Sequence, residues 1–221
     1  MAKQQTVAIL GNGVVGIALA KGFVDIGYQI VFGTRDARGA KSQAALAAVP
    51  GSRASSYADA AKVASLAVVA LPWSGLKEGV QLAGDDNLAG KLVIDASNPL
   101  DFSSGAPVLA VGYTDSAGET VQRLLPKARV VKAFNTITFA LMVRPKFADG
   151  MPDMFIAGND PAAKTEVASI LKQFGWRVPV DVGDIKASRL IEPLAMIVIT
   201  YGVRHNYWAH GFSMLGQKPQ A

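Results

Sequence analysis

The 221-residue chain carries 22 Lys and Arg against 17 Asp and Glu, a formal net charge of +5, and 50% of its residues are hydrophobic, enough to fill a real core. It has no cysteine, which excludes disulfides, thiolate catalysis and Cys-ligated zinc or iron–sulfur sites, so that redox work would need a dissociable cofactor. The basic residues form no run and no aromatic-interleaved stripe, which argues against nucleic acid and for attraction of an anionic small molecule such as a phosphorylated cofactor.

Met1-Ala-Lys-Gln-Gln lacks the charged, apolar and small-residue pattern of a secretory leader, so the expected location is the cytoplasm. Thr6-Val-Ala-Ile-Leu10 reads as a strand, and it runs into Gly11-Asn-Gly13-Val-Val-Gly16 and a helix. Tyr28 to Phe32 reads as a second strand, ending in Gly33-Thr34-Arg35. A glycine motif between a strand and a helix is the fingerprint of a dinucleotide site. Gly11 makes the tight turn, Gly13 lets backbone approach a pyrophosphate, and Gly16 lets the helix pack on the strand. The amides opening the helix then face the phosphates. Gly11, Asn12, Gly13, Val14, Val15 and Gly16 are the candidate cofactor turn.

The residues after the second strand decide how the adenosine ribose is read. An acid there accepts from the 2′-hydroxyl of NAD, whereas a cation and a hydroxyl accommodate the 2′-phosphate of NADP. Thr34-Arg35-Asp36-Ala37-Arg38 favours NADP, with Arg35 as a planar donor fork, Thr34 as a neutral hydroxyl, and Arg38 or Lys41 as further charge. The alternative has Asp36 as the ribose acid and Arg35 as a solvated surface residue.

Farther on, a helix is expected over 37–48, a short strand near Arg53, a helix over 58–63 and a buried strand over 66–71. Strands at 91–95 and 129–133 follow. Leu71-Pro72-Trp73 and Ser97-Asn98-Pro99 stand just after strand C-termini, the edge where open α/β sheets bind ligands. Residues 100–125 read as a long loop, a flap over the pocket, with a helix near 117–125. A strand at 154–157, a helix at 162–174, a strand at 177–181 and a final helical region from Asp184 complete the chain. This alternation predicts an α/β fold, a doubly wound, mostly parallel sheet with a small C-terminal helical cap. The division expected is a Rossmann domain over 1–182 and a cap or dimerisation segment over 183–221. The apolar run from Leu190 to Val203 is broken by Glu192 and Pro193 and is shorter than the roughly 20 residues a membrane span needs. No membrane insertion is expected, and so apolar a helix on a small protomer points to a homodimer.

At this point the chain resembles the NADP oxidoreductases that work with the deazaflavin coenzyme F420, and the related cytosolic reductase domains of six-transmembrane metalloreductases. The likeness rests on the glycine turn, on Gly33-Thr34-Arg35, Leu71-Pro72-Trp73, Val131-Lys-Ala-Phe134-Asn135-Thr136-Ile137, Ile156-Ala-Gly-Asn159-Asp160 and Asp181-x-Gly183. Ser188-Arg189-Leu190-x-Glu192-x-Leu194 completes it. It implies that Thr34 and Arg35 hold the 2′-phosphate and that the segments 71–73 and 134–137 flank the ribose and nicotinamide. The C-terminal helices would close the pocket and a dimer interface. Where the archaeal deazaflavin enzymes carry a His-Thr-Ile-Pro type of segment, this chain has Asn135-Thr136-Ile137-Thr138, closer to the metalloreductases.

Hydride passage between a nicotinamide and a flat ring is a matter of stacking at roughly 3–3.5 Å, with electronics supplied by the cofactors. No protein acid or base is obligatory. Ile137 is the expected back wall of the nicotinamide, and Pro72, Trp73, Asn98, Pro99, Asn135 and Thr136 are expected to position it. NADP(H) is thus the expected cofactor, with F420, FMN or FAD as acceptor and ferric reduction as a further activity. Two other readings stand beside this one. One is a non-catalytic NADP-binding sensor or scaffold. The other is an imine or hydroxy-acid reductase, for which Lys186 would be the proton donor. His205 and His210, five apart, would point about 140° from each other on one helix and are not expected to share a metal. Tyr201, Tyr207, Trp208 and Phe212 read as core or dimer packing.

Overall fold

Side chains of a strand alternate between the faces of its sheet, and β1 (Thr6–Leu10) divides accordingly, Val7 and Ile9 entering one core and Ala8 and Leu10 the other. Such a strand is buried on both faces and reads as a continuous apolar run. The computed structural model of the chain describes residues 5–216. Around β1 stand β2 (Gln29–Gly33), β3 (Arg53–Ser55), β4 (Leu66–Val69), β5 (Leu92–Asp95), β8 (Arg129–Lys132), β9 (Phe155–Gly158) and β10 (Val180–Asp181). Their order is β10-β9-β8-β5-β4-β1-β2-β3. All neighbours run parallel except β8 and β9, which pair antiparallel. The doubly wound, mostly parallel sheet expected from the sequence is what is found.

Helices cover both faces. α1 (Val14–Asp25), α2 (Ala40–Ala48) and α7 (Pro161–Gln173) supply Leu19, Phe23, Ala45, Val167 and Leu171 to one core. On the other face lie α3 (Tyr57–Val63), α4 (Trp73–Ala83), α5 (Asp85–Leu88) and α6 (Ala117–Leu124), which bring Ala60, Leu76, Val80, Leu88 and Val121. α6 opens with a reciprocal cap, Glu119 N–H donating to Ser116 Oγ at 3.1 Å and Ser116 Oγ donating to Glu119 Oε2 at 2.7 Å. α8 (Ser188–His205) packs across β9 and α6, with Ile191 against Phe155 and Ala157. Among the described residues no helix is long and apolar enough to cross a membrane.

Three local expectations are corrected. The 100–125 segment is not a plain loop before its helix: Leu100–Asp101 (β6) and Val108–Leu109 (β7) pair antiparallel as a small hairpin. Paired strands of two residues leave no periodic signal. The strand expected at 177–181 is confined to Val180–Asp181. Finally, α8 ends at His205, because Asn206 takes the left-handed conformation with φ of 47° and caps it. His210 therefore lies outside the helix, and the 140° argument does not apply. The two imidazoles instead pack on one ring, that of Tyr201, with centroids 4.4 and 4.8 Å away.

Candidate active site

β1 has β2 on one side and β4 on the other, so the chain leaves the C-terminal ends of these strands in opposite directions and opens a crevice between them. A cavity of about 860 Å³ occupies it, walled by the residues that follow β1, β2, β4 and β5: Gly11, Thr34, Ala70 and Ala96.

The glycine turn forms its floor. Gly11 has φ of 116° and donates its N–H to Gly33 O at 3.0 Å; a Cβ there would stand 2.4 Å from Ala70 O. A Cβ on Gly16 would stand 2.3 Å from Gly11 O, so that α1 can rest on the turn only through glycine. Gly13 differs, since a Cβ added to it meets nothing within 4 Å, and the space it would enter is the cavity. No side chain caps α1 at Gly13 and no acidic residue stands in its first turn. A helix start without a cap, at the floor of a crevice, presents backbone N–H groups and the positive end of the dipole to an anion. Asn12, Gly13, Val14 and Val15 all line the cavity; Gly16 supports it from behind.

At the far end Thr34 is buried. Its Oγ1 accepts from Asp36 N–H at 3.0 Å and lies 3.3 Å from Ser42 Oγ, which donates to Asp36 O at 2.6 Å and accepts from Asn12 Nδ2 at 3.0 Å. Ser42 gives its one hydrogen to the Asp36 carbonyl, so the Thr34 hydroxyl donates to Ser42 and is committed to shaping the turn. Asp36 turns its carboxylate back, Oδ1 accepting from Arg38 N–H at 3.0 Å. Arg35 is free to reach into the cavity, with 71% of its side chain exposed and Nη1 3.6 Å from Glu78 Oε2 on α4. Lys41 lines the same end, whereas Arg38 does not. Tyr57, also on the wall, has its phenol pKa raised by burial.

Leu71, Pro72 and Trp73 form the middle of one side, Pro72 capping α4. The hairpin contributes Leu100 and Phe102 from above. Pro99 is buried off the cavity and pins the hairpin, its carbonyl accepting from Ala110 N–H at 2.8 Å. Val15, Ala96 and Asn98 are shared with a second, narrower cavity of about 100 Å³, whose walls include Asn135, Ile137, Met142, Val198 and Trp208. Here two amides clasp each other. Asn98 Nδ2 donates to Asn135 O at 2.9 Å, and Asn135 Nδ2 donates to Asn98 Oδ1 at 3.0 Å and to Ile191 O at 3.4 Å. Asn135 Oδ1 is buried without a donor. Phe134, with φ of 67°, makes the sharp exit from β8 that aims Asn135; a bulky residue held there is strained backbone fixed by its surroundings. Thr136 is buried and Lys186 exposed, and neither lines either cavity.

Three residues behind this wall were not singled out as a group from sequence. Lys132, fully buried, lies 2.7 Å from Asp95 Oδ2 and 2.8 Å from Glu192 Oε1, and donates to Ser97 O at 2.7 Å. Burial alone would lower the amine's pKa, but the two carboxylates outweigh it and the pKa is raised. The only sequence signals were a Lys and an acid ending two apolar strands and an acid interrupting an apolar helix.

Comparison with known proteins agrees with this geometry. Residues 6–99 match the family described as NADP oxidoreductase, coenzyme F420-dependent. A crystal structure from Arthrobacter sp. FB24, provisionally assigned as an F420-dependent NADP reductase, superposes with a TM-score of 0.89 at 38% identity, over 95% of this chain and 99% of that one. The F420-dependent NADP reductase of Methanothermobacter thermautotrophicus is 27% identical over 208 residues, 88% of each chain. Metalloreductase STEAP3 of Rattus norvegicus is 31% identical over 192 residues, which is 86% of this chain and 36% of that protein. The chain thus spans little more than a third of the metalloreductases it matches.

Proposed function

Because the chain belongs to the family of F420-dependent NADP oxidoreductases, we propose that it passes hydride between NADPH in the large cavity and a flat redox ring, a deazaflavin or flavin, entering over the small one. The observation that carries this reading is that the two cavities share Val15, Ala96 and Asn98 as lining residues: the large one holds the uncapped helix start and Arg35, and the small one holds Asn135 and Ile137.

Bound NADPH supplies a hydride, two electrons with one proton, and leaves as NADP⁺. The chain's own work is binding and orientation. The open backbone at Gly13 and the first turn of α1 take the pyrophosphate. Arg35 and Lys41 take the 2′-phosphate, with Thr34 holding the turn that presents them. Pro72, Trp73 and Asn98 flank the ribose. Asn135 offers its unpaired Oδ1 to the carboxamide, and Ile137 backs the ring so that the reacting carbons meet at van der Waals distance. No acid or base is called for. A ferric chelate is a second acceptor in this reading, by the likeness to the metalloreductases: a flavin ring reduced by the hydride would pass its two electrons singly to two ferric ions and release the proton. Leu190, Ile197 and Tyr201 lie along one outward stripe of α8, 70%, 57% and 48% exposed; we assign this stripe to contact with a second copy of the chain.

The test is NADPH oxidation by the purified protein with FMN, a 5-deazaflavin and a ferric chelate in turn. Turnover with a ring acceptor is expected, and faster with NADPH than NADH. Tight NADPH binding with turnover on none of the three would refute the enzyme reading and leave an NADP-binding sensor.

A further inference from the structure

We propose that the buried Asp95–Lys132–Glu192 cluster is the positioning element of the nicotinamide end of the site, locking the β5 edge, the β8 edge and α8 into the one arrangement that holds the Asn98–Asn135 wall. This inference rests on the reading of the cavities given above.

All three groups are essentially excluded from solvent. Two carboxyl groups face one ammonium in the interior, and each accepts further hydrogen bonds from directed dipoles. Glu192 accepts from Ala117 N–H at 2.9 Å (Oε2) and from Gly118 N–H at 3.0 Å (Oε1), the opening amides of α6, where the helix dipole favours an anion. Asp95 Oδ1 accepts from Ser97 N–H at 3.0 Å and Ser97 Oγ at 2.6 Å. Lys132 Nζ stands 2.7–2.8 Å from three oxygens on different segments: Asp95 Oδ2 at the end of β5, Ser97 O in the following loop, and Glu192 Oε1 on α8.

A buried ion triad is weak as a source of stability, since apolar replacements of similar volume are often neutral or stabilising. Its distinctive property is geometric, because satisfied charges in a low dielectric tolerate only one arrangement. Here that arrangement is next to the site. Ser97, held on its N–H, hydroxyl and carbonyl, immediately precedes Asn98. Lys132 is three residues before Asn135. Glu192 follows Ile191, whose carbonyl accepts from Asn135 Nδ2. The side chains that carry the cluster are therefore one to three residues from each partner of the amide clasp. α8 then delivers Ala195, Val198 and Ile199 to the small cavity. The adenosine end is built on other elements, β1, β2 and α4.

The test separates the two ends of the cofactor. In Glu192→Gln the side-chain shape is kept, one ion pair is lost, and one of the two opening N–H groups of α6 loses its acceptor. NADPH affinity, dominated by the phosphates, is expected within about threefold of the parent. The blue-shifted emission of an enclosed reduced nicotinamide is expected to fall, and kcat with a ring acceptor to drop at least about tenfold with little change in the KM for NADPH. The neutral triple variant Asp95→Asn, Lys132→Met, Glu192→Gln leaves no unpaired buried charge and keeps the question open should the single variant not fold; the same split is expected of it. Emission and kcat equal to the parent's, or losses of kcat, affinity and helicity in parallel, would overturn the inference, as would unfolding of both variants. A parent that binds NADPH without enclosing its ring would do the same. A parent that does not bind NADPH at all would instead overturn the cofactor reading beneath it.

Discussion

Replacing Arg35 with Ala should weaken NADPH far more than NADH. The guanidinium stands at the adenosine end of the cavity beside Lys41, 71% exposed, with an ion pair of 3.6 Å to Glu78. A hydrogen bond to a charged group contributes about 1.5–3 kcal/mol, and a unit-charge pair at 4 Å ranges from about 1 kcal/mol in water to about 4 kcal/mol near a protein surface. Exposure places Arg35 toward the lower part of that range, so the loss of NADPH affinity should be roughly tenfold to a hundredfold. NADH lacks the 2′-phosphate and should lose no more than about threefold. Glu78 competes with the phosphate for the same fork. An exposed pair is worth about 0–1 kcal/mol, and Glu78→Gln should therefore tighten NADPH by up to about fivefold, a gain that disappears when Arg35 is also Ala. Titration of coenzyme fluorescence on the four proteins measures all of this. Equal losses for NADPH and NADH in Arg35→Ala would refute the assignment of the 2′-phosphate and return Asp36 to the role of ribose acid.

The two inner glycines should part company: Gly16→Ala forces a Cβ against Gly11 O and should cost about 1–3 kcal/mol of stability, seen as a lower Tm, whereas Gly13→Ala should fold normally and lose NADPH affinity by at least about tenfold. Arg189 donates to both oxygens of Glu119 at 2.6 and 2.8 Å, and this guanidinium, with Ser116, holds the Glu119 carboxyl below its ordinary pKa. A carboxylate whose folded pKa is lowered adds stability that is complete above its unfolded value, about 4.3, and is lost as pH falls through the folded one. Glu119→Gln should thus lower Tm at neutral pH and flatten its fall on the acid side, and an unchanged acid limb would contradict the assignment. Ile197→Asp, in the middle of the exposed stripe of α8, should convert a dimer to a monomer in sedimentation, with Tm of the monomer little changed; a parent that is already monomeric would remove this contact from the account.

Much of the sheet was legible because parallel strands buried on both faces appear as short apolar runs: Leu66-Ala-Val-Val and Leu92-Val-Ile could be placed without knowing their neighbours. The glycine turn was legible for a stronger reason, since three positions each have a separate steric demand and two are visible as clashes a Cβ would make. Direction was not legible for β9, as an apolar run reads alike both ways, and its antiparallel pairing with β8 comes from the long path between Ala133 and Met154. The hairpin at 100–109 was missed because two residues per strand carry no period. Asn206 ended α8 by a left-handed turn, which an apolar and aromatic composition continuing to Phe212 did not disclose.

In the site the same distinction holds. Residues acting through their own local backbone, such as Gly11 and Thr34, could be read from the motif that contains them. Residues acting through distant partners could not. Asp95, Lys132 and Glu192 meet from three separate elements, and Glu192 on its own read only as a break in an apolar helix. Ser42, which ties Asn12 to the turn of Thr34, sits in an alanine-rich helix with no sign of its task. Arg38 differs from Arg35 and Lys41: its charge and position suited a phosphate, and it is not among the residues that line the cavity.

The central claim is that this chain holds NADPH for direct transfer to a flat ring. Anaerobic single turnover with NADPH deuterated at either face of the nicotinamide C4, using a 5-deazaflavin whose receiving carbon retains the label, tests it most directly. The account predicts that one face alone delivers deuterium to the ring, with a primary isotope effect on the observed rate. NADPH bound without transfer, or label delivered from both faces alike, would contradict it.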